Sequence, residues 1–174
     1  MKRLDENNRT EKYWTATVLA SMIMESQFGG LKTFLSLLKD DSGKLPFKDR
    51  NNKKLHIDFK EFVKADFKYE NVQLSTELWY GRDFSENKEY AVPDITLVLM
   101  DKYLIVCEAK FSRRIQENAI VRQIYLQKQT INDILKNSEI QYVHHCLIYG
   151  GSEKFTQIKG VDSIITWSKF IIKI

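Results

Sequence analysis

Two strongly apolar runs separated by a very short link constrain the fold of this chain more than any other feature. The runs span residues 91–99 (AVPDITLVL) and 103–111 (YLIVCEAKF), and the link is Met100-Asp101-Lys102. Runs of this length that are rich in β-branched residues are typical of strands, and the short link predicts an antiparallel hairpin. Because both runs are apolar on both faces, we expect the hairpin in the middle of a sheet that is covered on both sides.

The rest of the chain predicts further helices and strands around this hairpin. Apolar residues recur at helical spacing over 10–39, where Gly29-Gly30 either breaks or bends the helix. The polar, turn-rich stretch 40–54 is predicted as a mobile loop. The other predicted elements are helices over 58–68 and 115–135 and strands over 71–80, 142–149 and 163–166. This order predicts one α/β domain over 1–174, with a mixed central sheet flanked by helices.

Composition and charge narrow the functional classes only moderately. The formal net charge of +4 favours a polyanionic partner. Cys107 and Cys146 lie in apolar runs without the spacing of a metal site, which favours a reducing, cytoplasmic setting. The first residues lack the apolar stretch of a signal peptide, and no run is long enough to span a membrane. We therefore expect a soluble protein with no membrane partner.

The hairpin brings charged residues together inside the apolar runs. If the three-residue link forms the turn, Leu99 faces Tyr103 and Asp94 lies across from Glu108. A link that is one residue shorter or longer would shift this pairing by one. Side chains alternate along a strand, so Glu108 and Lys110 share one face.

Two carboxylates at this place are costly without a purpose. Like charges that face each other destabilise a strand pair, and burying each ion costs several kcal/mol. A hard divalent cation such as Mg²⁺ removes both problems, because it prefers carboxylate, water and phosphate oxygens. The alternative is a strand-end ion pair between Glu108 and Lys110, with Asp94 merely following a turn proline.

This pattern resembles the PD-(D/E)xK nuclease superfamily. Pro93-Asp94 is followed, after thirteen residues, by Glu108-Ala109-Lys110, and the resemblance extends over about 71–135. It implies a restriction-endonuclease-like αβββαβ core and hydrolysis of phosphodiester bonds, with DNA as the substrate and Mg²⁺ or Mn²⁺ as the cofactor. It further implies that Asp94 and Glu108 are catalytic metal ligands, that Ala109 is a further ligand position, and that Lys110 orients or activates the water.

Members of the superfamily also use an acidic residue from the first helix, and Glu25 is the candidate here. It falls on the apolar side of the predicted helix, three residues after Met22. The alternative is a glutamate at the rim that reaches solvent. Glu77, in the strand before the hairpin, is a second candidate whose alternative is an exposed strand face.

Residues around the catalytic strand supply candidates for nucleic-acid contact. Arg113 and Arg114 follow the strand directly and could grip phosphates, or they could form a solvated turn. Gln123 and Gln127, one turn apart on the next helix, match a glutamine found in some members, and Gln123 is assigned to nucleic-acid binding. His144 and His145 are adjacent on a strand, so they point to opposite faces and do not form one metal site.

Two other functional classes compete with a metal-dependent nuclease. One is an inactive nuclease-fold protein that only binds nucleic acid or a partner protein. The other is an interaction domain in which the motif arose by chance. Homodimerisation is left open, because the sequence alone identifies no interface.

Overall fold

The computed structural model describes residues 13–76, 91–111, 116–136, 138–150 and 155–169. A short π-helical stretch, Trp14–Leu19, leads directly into the first α-helix. The helices are α1 (Ala20–Leu37), α2 (Phe59–Phe62) and α3 (Glu117–Leu135). The strands are β1 (Lys44–Asp49), β2 (Lys54–Asp58), β3 (Val72–Thr76), β4 (Ile95–Leu99), β5 (Tyr103–Lys110), β6 (Tyr142–Tyr149) and β7 (Ser163–Thr166).

All seven strands form one mixed sheet. The order is β2-β1-β6-β5-β4-β3, and β7 pairs with β6 beside β1. Strand β6 is parallel to β5 and β7, whereas the other pairings are antiparallel. The predicted α/β class with a mixed sheet flanked by helices is therefore confirmed.

The central hairpin has the predicted register. β4 and β5 pair from Leu99↔Tyr103 to Ile95↔Cys107. Met100 and Asp101, in the link, adopt positive φ values of 54° and 51°, which close the turn. The pair lies inside the sheet, with β3 on one side and β6 on the other.

Hydrophobic residues cover both faces of this hairpin, as predicted. On one face Ile105 and Cys107 join a large core that includes Leu31 and Phe34 of α1. On the other face Leu104 and Val106 pack with Ile131 and Leu135 of α3. The alternation of β5 therefore directs Glu108 and Lys110 to the α3 side.

The prediction of a mobile loop over 40–54 is wrong. The residues form the β1–β2 hairpin instead, with Leu45 opposite Ile57 and Phe47 opposite Leu55. Leu45 and Phe47 are buried in the main core, so their burial stabilises a strand despite the polar composition around them. The helix predicted over 58–68 is limited to α2, whose N-terminus is capped by Asp58 Oδ1 accepting from Glu61 N at 3.1 Å.

The first helix is interrupted just before its glycine pair. Residues Glu25 to Phe28 leave the right-handed helical conformation, and Ser26, Gln27 and Phe28 have positive φ. The break folds the chain back on itself at Gly30, where an added Cβ would stand 1.7 Å from the Met22 carbonyl oxygen. Only glycine fits this close approach.

Candidate active site

The hairpin places Asp94 and Glu108 side by side. Continuing the β4–β5 register one step beyond Ile95↔Cys107 sets Asp94 opposite Glu108. Asp94 Oδ2 accepts a hydrogen bond from the main-chain nitrogen of Ala109 at 2.8 Å. This bond ties the Asp94 side chain to the strand that carries Glu108.

Glu108 is fully enclosed by its neighbours. Its side chain is 0% exposed and forms an ion pair through Oε1 with Lys110 Nζ. Its Oε2 accepts a hydrogen bond from Gln127 Nε2 at 2.6 Å. Burial and the adjacent Asp94 carboxylate raise the pKa of Glu108 to about 8, against the smaller lowering effects of Lys110 and Gln127.

Lys110 differs from Glu108 in its access to solvent. The Lys110 side chain is 25% exposed, whereas the Glu108 side chain that it pairs with is fully buried. A group in this position can meet a phosphate oxygen or a water molecule that approaches from solvent.

Gln127 links the helix to the carboxylate cluster. Its side chain is buried on α3, and its Nε2 also lies 3.5 Å from the Val92 carbonyl, at the outer limit of a hydrogen bond. Its Oε1 is buried and has no hydrogen-bond partner among the described residues. The amide therefore meets Glu108 with its donor end, while its acceptor end is buried without a described partner.

Gln127, and not Gln123, therefore lies against the carboxylates. Gln123 is half-buried one turn earlier, and its assignment to nucleic-acid binding gains nothing from this position. A signal for Gln127 was present in the sequence. It interrupts an apolar stripe of α3 whose buried members are Ile120, Ile124, Ile131 and Leu135.

Glu25 does not join this cluster. It is exposed, and the break in α1 begins at this residue. Across the described ranges, no three His, Cys, Asp or Glu side chains are grouped so that they could hold one metal ion. The helix that was expected to carry Glu25 inward is interrupted at that point, so the alternative of a solvent-facing glutamate fits the structure. Glu77, Arg113 and Arg114 lie outside the described residues.

The carboxylate pair by itself suits a hard divalent cation. Asp94 and Glu108 would supply protein oxygens, and water and phosphate would complete the coordination, as Mg²⁺ prefers. Desolvation and, second to it, repulsion from Asp94 raise the pKa of Glu108, and such a cation would offset the repulsion. Ala109, the further ligand position predicted from the sequence, is buried and donates its N–H to Asp94.

A second polar cluster occupies the place where β1 and β7 share one side of β6. His144 contacts the Pro46 carbonyl through Nδ1 at 2.5 Å and Ser163 Oγ through Nε2 at 2.7 Å. On the other face, Asp162 accepts from His145 N at 2.9 Å and pairs with Lys48. Burial lowers the pKa values of both histidines, that of His145 to about 3. The two rings face opposite sides, as predicted, and the hydrogen bonds of His144 connect β6 to β1 and β7.

Comparisons with protein-family models, curated proteins and solved structures gave no significant match. None of the described helices combines the length and apolar character that crossing a membrane requires.

Proposed function

We propose that this chain is a divalent-metal-dependent nuclease that hydrolyses phosphodiester bonds, most directly those of DNA. The observation that carries the proposal is the fully buried Glu108, which lies beside a second carboxylate, Asp94, and a partly exposed Lys110. Structural ion pairs rarely place two carboxylates together in a protein interior, because the repulsion adds to the cost of desolvation. A bound cation would offset the repulsion between the two carboxylates, so a cation-binding site accounts for this arrangement.

The order of elements supports a nuclease-like core. Helix α1, strands β3, β4 and β5, helix α3 and strand β6 follow the αβββαβ order implied by the resemblance to the PD-(D/E)xK superfamily, with β1, β2 and α2 inserted after α1 and β7 added after β6. Asp94 lies immediately before β4, and Glu108 and Lys110 lie near the end of β5. The proposed site is therefore at one end of the two central strands.

The chain's own residues would divide the chemistry among them. Asp94 and Glu108 would hold Mg²⁺ or Mn²⁺, which lowers the pKa of bound water and offsets charge on the phosphate. The Ala109 N–H fixes the direction of Asp94, and the Gln127 amide fixes that of Glu108. A bound cation would favour the ionised form of Glu108, and Lys110 beside it would hold a phosphate oxygen or the attacking water.

DNA is proposed as the substrate because of charge. The net charge of +4 favours a polyanion, and Arg113 and Arg114 follow the catalytic strand in sequence. If both arginines contact phosphates of duplex DNA, replacing both should flatten the slope of log affinity against log salt by ~1.8, about 0.9 per contact. An unchanged slope would remove them from the contact surface. The free thiols of Cys107 and Cys146 support a cytoplasmic setting for this activity.

The proposal is tested with supercoiled, linear, single-stranded and branched DNA, with EDTA, Mg²⁺ or Mn²⁺. Cleavage should require the metal and should be lost in Asp94→Asn and Glu108→Gln. Glu139→Gln, at an exposed carboxylate, is the matched control and should cleave normally. Lys110→Met should bind the metal above pH 8 but lose about 100-fold or more in turnover, in the range of a lost charge-stabilising group.

One observation favours the alternative of an inactive nuclease-fold protein that binds nucleic acid or a partner protein. Oxygens of both carboxylates already accept from donors of the chain itself, namely Ala109 N–H, Gln127 and Lys110. The same assay separates the two functions. Tight, metal-independent DNA binding without cleavage on any substrate would favour the alternative.

A further inference from the structure

Strand β2 forms one edge of the sheet within the described part of the chain. Its residues alternate between exposed and half-buried positions. Leu55 and Ile57 are half-buried and pack against the main core, whereas Lys54, His56 and Asp58 are exposed on the opposite face. The strand is therefore a short edge strand with one apolar face and one face that carries charged residues.

The hydrogen bonds of the β1–β2 hairpin fix which main-chain groups face outward. Asp49 N donates to Lys53 O at 3.0 Å, and Phe59 N donates to Gly43 O at 3.3 Å. These bonds mark the hydrogen-bonded pairs of the ladder, which recur at every second residue of β2. The main-chain groups of Leu55 and Ile57 therefore point to β1, and those of Lys54, His56 and Asp58 point to the open edge. Pro46, which has no N–H, lies opposite His56 in agreement with this phase.

The sequence of β2 is complementary to itself when it is read in the antiparallel direction. With His56 at the centre, Lys54 faces the partner's Asp58, and Leu55 faces the partner's Ile57. Both ends of such a ladder join opposite charges, and its inner positions join apolar side chains, the pairs that stabilise antiparallel strands. Within one protomer Lys54 lies opposite Lys48, a like charge, so the second copy offers Lys54 a better neighbour.

We propose that β2 pairs with β2 of a second copy of this chain, across a two-fold axis that passes near His56 and stands perpendicular to the sheet. Such an axis gives an isologous interface, in which the same patch serves both protomers. The outward main-chain groups of Lys54, His56 and Asp58 supply the hydrogen bonds of the new ladder, and the two sheets become continuous.

The dimer would also set the distance between two copies of the proposed nuclease site, a step that rests on the proposed nuclease function. A perpendicular two-fold axis keeps equivalent faces on the same side, so both Glu108 side chains lie on the α3 side of the joined sheet. Seven interstrand spacings of ~4.8 Å separate the two β5 strands, or ~34 Å before twist is considered. That distance is about one turn of B-DNA, which suits two cuts in one duplex.

The test measures mass by analytical ultracentrifugation. The wild type should sediment as a dimer, at twice the protomer mass of 20.5 kDa. Lys54→Glu and Asp58→Lys each place like charges at both ends of the ladder, and each alone should weaken dimerisation by about tenfold or more. An equimolar mixture of the two variants should restore the dimer, because both end pairs then join opposite charges.

Controls separate the interface from folding and from catalysis. Lys53→Glu makes the same charge change one position outside the self-paired segment and should leave the dimer intact. Because Asp58 caps α2, Asp58→Asn, which keeps a capping side chain, should weaken the dimer without lowering the melting temperature. Glu108→Gln should dimerise normally, so a failed nuclease proposal would not affect the result. A monomeric wild type would overturn the inference. Lys54 and Asp58 would then be charged edge-strand residues that prevent pairing with another chain. A dimer that resists both charge reversals, or variants that fail to associate when mixed, would also overturn it.

Discussion

The Gln127 amide donates to Glu108 Oε2 at 2.6 Å, and both side chains are fully buried between α3 and β5. This bond connects α3 to a buried carboxylate of β5 whose pKa is raised to about 8 by desolvation and the neighbouring Asp94. It also leaves Gln127 Oε1 without a described partner. The amide donor end fixes the direction of Glu108, so Gln127 is the positioning residue of the proposed centre.

Replacing Gln127 should affect both folding and metal binding. Gln127→Ala leaves Glu108 Oε2 buried without its donor, which should lower the free energy of unfolding by ~1–3 kcal/mol above pH 8. The affinity for Mg²⁺ should fall about 10–100-fold, as for lost partners of metal ligands. Gln123→Ala, on the same helix, should change both far less. Calorimetric titration and denaturant unfolding measure these effects, and equal losses in the two variants would contradict the assignment.

The raised pKa of Glu108 predicts a pH dependence of stability. The folded protein keeps this proton up to about pH 8, whereas an unfolded glutamate releases it near its ordinary pKa of 4.5. The folded state therefore binds more protons in this window, and the Glu108 contribution to stability falls as pH rises from about 4.5 to 8. The slope reaches at most ~1.4 kcal/mol per pH unit.

The measurement compares wild type with Glu108→Gln in EDTA between pH 5 and 9. His144 and His145 act in the opposite direction below their ordinary pKa of 6.5, because burial lowers their pKa values. The difference between the two proteins isolates Glu108, and the range between 6.5 and about 8 isolates it best. Added Mg²⁺ should raise the melting temperature of wild type most at high pH. Parallel pH profiles for the two proteins would rule out a proton on Glu108.

Much of the site follows from sequence because it depends on one local relationship. A three-residue link sets Leu99 opposite Tyr103, and alternation then fixes the positions of Glu108 and Lys110. Strand β6 was likewise predicted with its observed bounds, because its apolar run is bordered by polar residues and glycine. These features need no knowledge of distant parts of the chain.

The features that sequence missed depend on tertiary contacts. The alternation around Leu45 and Phe47 is short and surrounded by lysine, aspartate and asparagine, so only burial against the core reveals β1. The position of Glu25 changes because Ser26 and Gln27 adopt positive φ, which their side chains do not favour. The choice between Gln123 and Gln127 depends on how α3 is rotated against the sheet.

Asp94 should respond differently to two substitutions. Asp94→Asn keeps an acceptor for the Ala109 N–H and removes the charge that raises the pKa of Glu108. In EDTA at pH 8 its stability should equal or exceed that of wild type, while Mg²⁺ binding is lost. Asp94→Ala leaves the buried Ala109 N–H without a partner and should cost ~1–3 kcal/mol. Equal stability of the two variants in denaturant unfolding would exclude this hydrogen bond as a structural element.

The break in α1 predicts opposite tolerances for two adjacent glycines. An added Cβ at Gly30 would stand 1.7 Å from Met22 O and 2.8 Å from Met22 C, both of which are backbone atoms that cannot turn away. Gly30→Ala should therefore destabilise the protein by about 3 kcal/mol or more, at the upper end of overpacking effects. At Gly29 the nearest atom is Ser26 Cβ at 3.3 Å, so Gly29→Ala needs only a small shift and gains helix propensity. Its free energy of unfolding should stay within ~1 kcal/mol of wild type.

The effect should be the same in EDTA and in Mg²⁺, because α1 packs on the face of the sheet opposite to α3 and Glu108. An uninterrupted helix would instead accept alanine at both positions, and equal melting temperatures for the two variants would establish that conformation.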